Sequence, residues 1–208
     1  MSFSTYFSEQ AKKPAGLFGR LVMSNVFNIG NAKLNSLVFE SMEVQDNDHI
    51  LEIGFGTGKL IYAMAAQTDK GIVEGIDFSS TMVSIAQRRN KKYTAKGKVK
   101  ILQGNFDETV FNKESFSKVC SVNTLYFWPK PEFTAKKIAD ILEPGGMLVL
   151  AFEDISQLAK RQLSNDVFRL YSKNEVKNLL SNAGFSNEVR IESREFGKSI
   201  LNCAVAIK

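Results

Sequence analysis

Three glycines, Gly54, Gly56 and Gly58, fall within five residues of LEIGFGTGKL (Leu51 to Leu60), and an acidic residue, Glu52, leads into them. A loop stripped of side chains lets a ligand approach the main chain, so binding is the chemistry this stretch could do. Its spacing excludes two common forms. A dinucleotide fingerprint G-x-G-x-x-G counted from Gly54 needs a glycine where Lys59 stands, and a phosphate-cradling P-loop needs one at Ile53. Further on, Asp77 closes the apolar run GIVEGID, 23 residues after Gly54. A carboxylate at the end of the second strand of an α/β sheet can accept hydrogen bonds from both hydroxyls of a ribose. The two features together indicate a nucleoside, and the altered glycine spacing argues against a pyrophosphate beside it.

Such groups work only if strands and helices hold them at one mouth. From Ile50 onward, short apolar runs alternate with segments of helical period, the pattern of βα units and a mostly parallel sheet. Strands are expected at about His49 to Ile53, Ile72 to Ile76, Val99 to Gln103, Lys118 to Val122 and Met147 to Phe152. Helices are expected at about Gly58 to Gln67, Ser80 to Tyr93, Lys130 to Ile141 and Lys173 to Asn182. The last has clear ends, with Ser172 and Glu175 spaced as a capping box and Gly184 where a left-handed residue would stop it. Glu188 to Ser193 and Ile200 to Ile207, linked through Gly197, read as a closing antiparallel hairpin and bring the strands to seven. The first 45 residues have apolar positions at helical spacing and no strand signal, so they should form a helical lid over one edge of the sheet. The expected fold is a Rossmann-like three-layer α/β sandwich: a lid over residues 1–45 and a seven-stranded, mostly parallel sheet domain over 46–208. Ligands of such sheets lie beyond the carboxyl ends of the strands, where the glycine loop falls.

Composition narrows the class. With 208 residues, 44% hydrophobic and 24% charged, the chain suits one globular domain and not a disordered tail. No apolar run approaches the roughly 18 residues of a membrane helix, and the start MSFSTYFSEQAKKPAG has no apolar signal core, so a soluble cytoplasmic protein is expected. Cys120 and Cys203 sit in strand-like apolar runs as small hydrophobes, without the spacing of a zinc site or a disulfide framework. A net charge of +5 is a mild basic excess that does not call for nucleic acid.

Taken in order, LEIGFGTGKL, GIDFSSTMVSIAQRR, ILQGNFDE, SVNTLYFW and LEPGGMLVL resemble the motifs of the class I S-adenosylmethionine-dependent methyltransferases, in their small-molecule branch. The resemblance covers about Asp48 to Phe152, and more weakly the C-terminal part through YSKNEVKNLLSNAGF. It implies that S-adenosylmethionine is the cofactor and S-adenosylhomocysteine the product. Glu52, Gly54 and Gly56 would shape the wall around the methionine part, Asp77 would hold the ribose, and Phe78 would pack on the adenine. Asn105 stands where the family usually has an acid facing the adenine amino group; an amide oxygen can still accept that bond. Phe106 beside it and Asn123, at the tip of the fourth strand, complete the implied cofactor set. A sulfonium methyl is already activated, so transfer needs mainly in-line positioning and exclusion of water, with no metal and a base only for acceptors that must lose a proton. No catalytic residue is therefore assigned.

Around this set lie groups with two readings each. The only histidine, His49, precedes the first strand on the side away from the mouth, and a solvated or locally bonded role suits it better than catalysis. NTLY (Asn123 to Tyr126) keeps the ends of the NPPY motif of amino-methylating nucleic-acid enzymes but lacks both prolines. Tyr126, Phe127 and Trp128 either line an apolar acceptor pocket or pack under the next helix. Glu153 and Asp154 are the best-placed carboxylates should a base be needed; the plainer reading is solvation or helix capping. The basic run Arg88 to Lys100 reads as a solvated helix end. Asn28 and Asn31, with Tyr6, Phe7, Phe18, Met23 and Phe27, belong to the lid segment that shapes the acceptor pocket in related enzymes, with plain core packing as the alternative for the Phe and Met positions. The sequence thus reads as a metal-independent methyltransferase for a small molecule. The alternatives are a protein or nucleic-acid methyltransferase, with a basic groove at the mouth, and a cofactor-binding interaction protein without turnover. The acceptor and the oligomeric state are not legible.

Overall fold

Short apolar runs with turn residues at their ends become strands, and the stretches of helical period between them become the helices that cover the sheet. The computed structural model describes residues 31–158, 169–186, 188–197 and 199–208. In chain order the elements are α1 (Ala32–Ser41), β1 (His49–Ile53), α2 (Lys59–Gln67), β2 (Ile72–Asp77), α3 (Ser80–Thr94), β3 (Val99–Gln103), β4 (Phe116–Val122), a 3-10 turn (Leu125–Phe127), α4 (Pro131–Ile141), β5 (Leu142–Glu153), α5 (Ile155–Leu158), α6 (Lys173–Asn182), β6 (Arg190–Phe196) and β7 (Ser199–Ile207). The seven strands form one sheet in the order β3-β2-β1-β4-β5-β7-β6. β1 to β5 are parallel, and β7 inserts antiparallel between β5 and β6. The expected Rossmann-like sandwich and closing hairpin are therefore present.

Helix ends follow local chemistry. The Ser79 hydroxyl accepts the Met82 N–H at the start of α3, and Lys91 and Lys92 occupy its last turn, where cations oppose the dipole. Pro131 opens α4, where a missing N–H costs nothing. The capping box at Ser172 and Glu175 forms as expected, and Gly184 leaves α6 with φ +97°.

Strand alternation divides the core into two layers. On one face Leu51, Ile53, Val119, Leu148, Leu150 and Phe152 pack against α4 and α6. On the other, Ile50, Val73, Cys120, Val149 and Cys203 pack against α1, α2 and α3. Both cysteines are buried and free. Of the expected lid, only 31–45 lies among the described residues: α1 buries Leu34, Leu37 and Val38 across β4, β5 and β7. It is tied to the hairpin by Arg194 to Glu40 (2.6 Å) and by the Ser41 hydroxyl to Glu192 (2.9 Å). No described helix is long and apolar enough to cross a membrane.

Three details differ from expectation. β5 starts directly at the end of α4 and absorbs the turn EPGG (Glu143 to Gly146), because Leu142 pairs with Phe116 across a register shift and the Gly145 N–H reaches Lys208 O (3.2 Å). β6 begins two residues late and runs on to Phe196. The 3-10 turn and α5 have too few residues to leave a periodic signal.

At the end of the sheet away from the mouth, every buried carboxylate has a cation. Lys118 Nζ reaches Asp48 Oδ2 (2.8 Å) and Glu43 O (2.7 Å), with both side chains almost entirely buried. His49 Nε2 and Lys100 Nζ meet Glu74 Oε1 (2.9 and 2.8 Å), and these hydrogen bonds, that of His49 first, hold the Glu74 carboxyl below its ordinary range. His49 is locally bonded, as expected. Replacing Lys118 by Met would leave Asp48 buried without its partner; a loss of about 3 kcal/mol is expected in urea unfolding, with an unchanged m-value.

Candidate cofactor site

The glycine loop leaves β1 and turns over the carboxyl end of the sheet, and its three glycines serve three purposes. A Cβ on Gly54 (φ +71°) would come within 2.5 Å of Thr124 Cγ2, and one on Gly58 (φ +67°) within 2.7 Å of Ala86 Cβ. These two positions are closed by the protein itself. A Cβ on Gly56 (φ +53°) would meet nothing within 4 Å. The middle glycine thus leaves a bare stretch of main chain facing open space, the cradle a ligand needs. Between them Phe55 is buried, and Gly75 of β2 makes room for its ring.

α3 clamps the far side of this loop. Arg89 Nη1 donates to Thr57 O (3.1 Å) and Thr57 Oγ1 (2.7 Å), and Asn90 Nδ2 donates to Gly58 O (3.0 Å). The solvated reading of the basic run therefore fails for Arg89, while Lys91 and Lys92 stay exposed at the helix end as expected. Arg89 is half-buried on the loop, Lys92 lies over the Tyr62 and Tyr93 rings, Lys98 pairs with Asp69, and Lys100 pairs with Glu74. The sequence carries no signal for the Arg89 and Asn90 contacts, since only the crossing of α3 behind the loop creates them.

Asp77 and Glu52 stand at the tips of β2 and β1. Asp77 Oδ2 accepts the Gly56 N–H (3.0 Å) and Oδ1 accepts the Ser79 N–H (2.8 Å), so one carboxylate joins the two loops at the mouth. Each oxygen keeps acceptor capacity for a second donor. Burial pushes the Asp77 carboxyl up to about 6, against the pull of the Ser79 and Gly56 N–H groups. Glu52 is only 3% exposed, and its Oε2 has no hydrogen-bond partner. Burial first and the charge of Asp77 second push it up to about 8, opposed by the Ile61 N–H in the first turn of α2. An orphaned acceptor beside an open glycine cradle fits a ligand with a cationic or donor group.

The adenine side differs in part from expectation. Phe78, next to Asp77, keeps 38% of its surface exposed. Asn105 bonds within its own turn: its Oδ1 accepts the Asp107 N–H (3.1 Å) and its Nδ2 donates to Glu108 (2.9 Å). An Asx turn is the local alternative open to an asparagine at a strand end, and it leaves Oδ1 one lone pair for a second donor. The Phe106 ring is buried beneath Lys137 and against Phe111, so its side chain belongs to the core and not to the crevice wall.

At the other side, Asn123 ends β4 with φ +56° and donates through Nδ2 to Asn31 Oδ1 (2.8 Å). The structure thereby brings Asn31 and Asn123 together; Asn28, with Tyr6, Phe7, Phe18, Met23 and Phe27, lies outside the described residues. Of the two readings of Tyr126 and Trp128, core packing holds. Tyr126 is buried, its hydroxyl accepting the Glu153 N–H and reaching Asn123 Oδ1 (3.3 Å). Trp128 is buried with Nε1 donating to Thr124 Oγ1 (3.2 Å). Glu153 is buried at the tip of β5, whereas Asp154 accepts the N–H groups of Ser156 and Lys173 and caps α5 and α6. Sequence reasoning also missed Thr124, which fills the space beneath Gly54 and whose hydroxyl bonds Ser121. Among the described residues no group of three His, Cys, Asp or Glu could hold a metal ion.

Residues 50–146 match the family model described as "Methyltransferase domain". The uncharacterized methyltransferase YdaC of Bacillus subtilis (strain 168) is 27% identical over 178 residues, which span 86% of this chain and 93% of that protein. Erythromycin 3''-O-methyltransferase of Saccharopolyspora erythraea is 27% identical over 137 residues, 65% of this chain and only 44% of the relative. Among solved structures, a SAM dependent methyltransferase from Aquifex aeolicus superposes with TM-score 0.68 at 17% identity, covering 99% of both chains. The last likeness concerns the fold.

The three glycines make separable predictions. Gly56→Ala should cost about 1–2 kcal/mol of stability, from the left-handed backbone alone, and weaken S-adenosylmethionine binding about tenfold or more. Gly58→Ala adds a collision with Ala86 and should lose more stability than Gly56→Ala. Urea unfolding and calorimetric titration of the two variants check both outcomes.

Proposed function

We propose that this chain is a class I S-adenosylmethionine-dependent methyltransferase and that it methylates a small-molecule acceptor in the cytoplasm by direct in-line displacement that calls on no metal. The observation that carries the cofactor part of this reading is the bridge from Gly56 N–H to Asp77 Oδ2, with the bare cradle of Gly56 and the orphaned Glu52 Oε2 beside it. Asp77 offers its remaining lone pairs to the ribose hydroxyls, Phe78 offers its exposed ring to the adenine, and Glu52 faces the methionine end. When bound, the cofactor supplies an activated methyl group. The chain's own task is to hold the acceptor in line with it and keep water out. Asn123 and Asn31 stand at the methyl end as short polar groups that orient an acceptor, and Glu153 supplies a carboxylate beside them.

Two observations favour a small acceptor. Part of the basic run that would have served a nucleic acid is engaged within the fold, Arg89 on Thr57, Lys98 on Asp69 and Lys100 on Glu74. The erythromycin relative, by its name, methylates the oxygen of a small molecule, although the chain spans less than half of that protein. A cytoplasmic setting fits two free, buried cysteines. Neither observation fixes the atom methylated.

Calorimetric titration with S-adenosylmethionine, S-adenosylhomocysteine and NADH is the first test, with heat expected from the first two alone. A screen of small hydroxyl, amine and carbon acids for S-adenosylhomocysteine formation follows. Turnover only on a protein or a nucleic acid would overturn the acceptor class. In the same titration Asp77→Ala should bind S-adenosylmethionine about 1.5–3 kcal/mol more weakly, the loss of a charge-assisted hydrogen bond, with an unchanged far-UV circular dichroism spectrum. Unchanged affinity would remove Asp77 from the ribose.

A further inference from the structure

At the mouth of the crevice, the buried carboxylates Glu52 and Asp77 meet no balancing cation among the described residues. Glu52 and Asp77 are 3% and 8% exposed. Among the described residues neither forms an ion pair, and their hydrogen bonds come from the neutral N–H groups of Ile61, Gly56 and Ser79. The groups packed around Glu52 do not change this balance. β2 contributes Asp77, β4 contributes the buried thiol of Cys120, and α1 turns the apolar Leu34, Leu37 and Val38 inward. α2 presents a backbone N–H while Lys59 is exposed, and α3 directs Arg89 to Thr57. Two like charges in one desolvated site cannot both persist without a counter-charge, so the empty site must take up either a proton or a cation.

We propose that Glu52 is protonated before the cofactor binds, and that the ammonium group of the incoming cofactor displaces this proton to solvent. The inference rests on the crevice being the cofactor site and goes further, making Glu52 the residue that selects a cationic ligand and links its affinity to pH. Glu52 is the member of the pair that holds the proton. Its Oε2 lacks a donor, whereas both oxygens of Asp77 accept backbone N–H bonds that favour the ionised form. The sign follows directly. Binding requires loss of the proton, so affinity falls as pH drops below the titration of the pair, which burial places at about 8 for Glu52. The limiting slope of a one-proton linkage is about tenfold in Kd per pH unit.

The test is calorimetric titration of the full chain with S-adenosylmethionine near neutral pH in phosphate and in Tris, whose ionisation heats differ, and then across a range of pH. Close to one proton released per cofactor is expected, with Kd rising about tenfold for each pH unit of acidification. Glu52→Gln should bind with little pH dependence and release almost no proton. Binding without buffer-dependent heat or pH dependence would overturn the proton on Glu52. Proton release with S-adenosylmethionine but not with S-adenosylhomocysteine would assign the titration to the ligand and also overturn it. Should Glu52→Gln fail to fold, the wild-type buffer series decides alone. Failure of both cofactors to bind at any pH is a different result, which removes the cofactor reading itself.

Discussion

A parallel sheet whose order reverses at β1 leaves the loops after β1 and β2 side by side with no return strand to hold them. The bond from Gly56 N–H to Asp77 Oδ2 supplies the missing connection. Through its second oxygen Asp77 also takes the Ser79 N–H and fixes the entry to α3. α3 in turn returns Arg89 and Asn90 to the glycine loop, closing a ring of contacts around Thr57 and Gly58. One carboxylate therefore sets the shape of the mouth from both sides. The cost is a charge held largely out of water, which a purely structural link would avoid by using a neutral residue.

The treatment of charge differs between the two ends of the sheet. Asp48 meets Lys118, and Glu74 meets His49 and Lys100, so the floor is neutralised within the chain. Glu52 and Asp77, only a few residues along the same strands, have no such partners among the described residues. Cations were available nearby, since Arg89 comes close enough to bond Thr57. A fold that neutralises the carboxylates at one end and spares those at the other is keeping negative potential where a ligand arrives.

Most of the frame was legible because it rests on local signals. The five parallel strands, the hairpin and the capping box at Ser172 each have a period or a pair of cap residues that survives without tertiary context. The site was legible where backbone conformation dictates residue type, as at Gly56, or where a charge sits at a strand tip, as at Asp77. It was not legible where side chains had a choice of partner. Asn105 satisfies its own turn, and the aromatic rings of Tyr126 and Trp128 turn into the core. Arg89 finds the glycine loop across 32 residues of sequence, and no spacing rule reports such a contact.

The hairpin that closes the sheet also governs the order in which the crevice can be completed. α1 rests on β5 and β7, and Ser41 bonds Glu192 across 151 positions of sequence. β7 is the most C-terminal strand, so the surface on which α1 settles does not exist until nearly the whole chain has joined the sheet. Asn31 enters α1 directly and meets Asn123 at the tip of β4, so this wall of the crevice depends on some of the longest-range contacts among the described residues. Such contacts form late, because the entropy of closing the loop is spent before they return anything. During synthesis the glycine cradle between β1 and β2 is ready early, while the wall formed by Asn31 and Asn123 waits for β7.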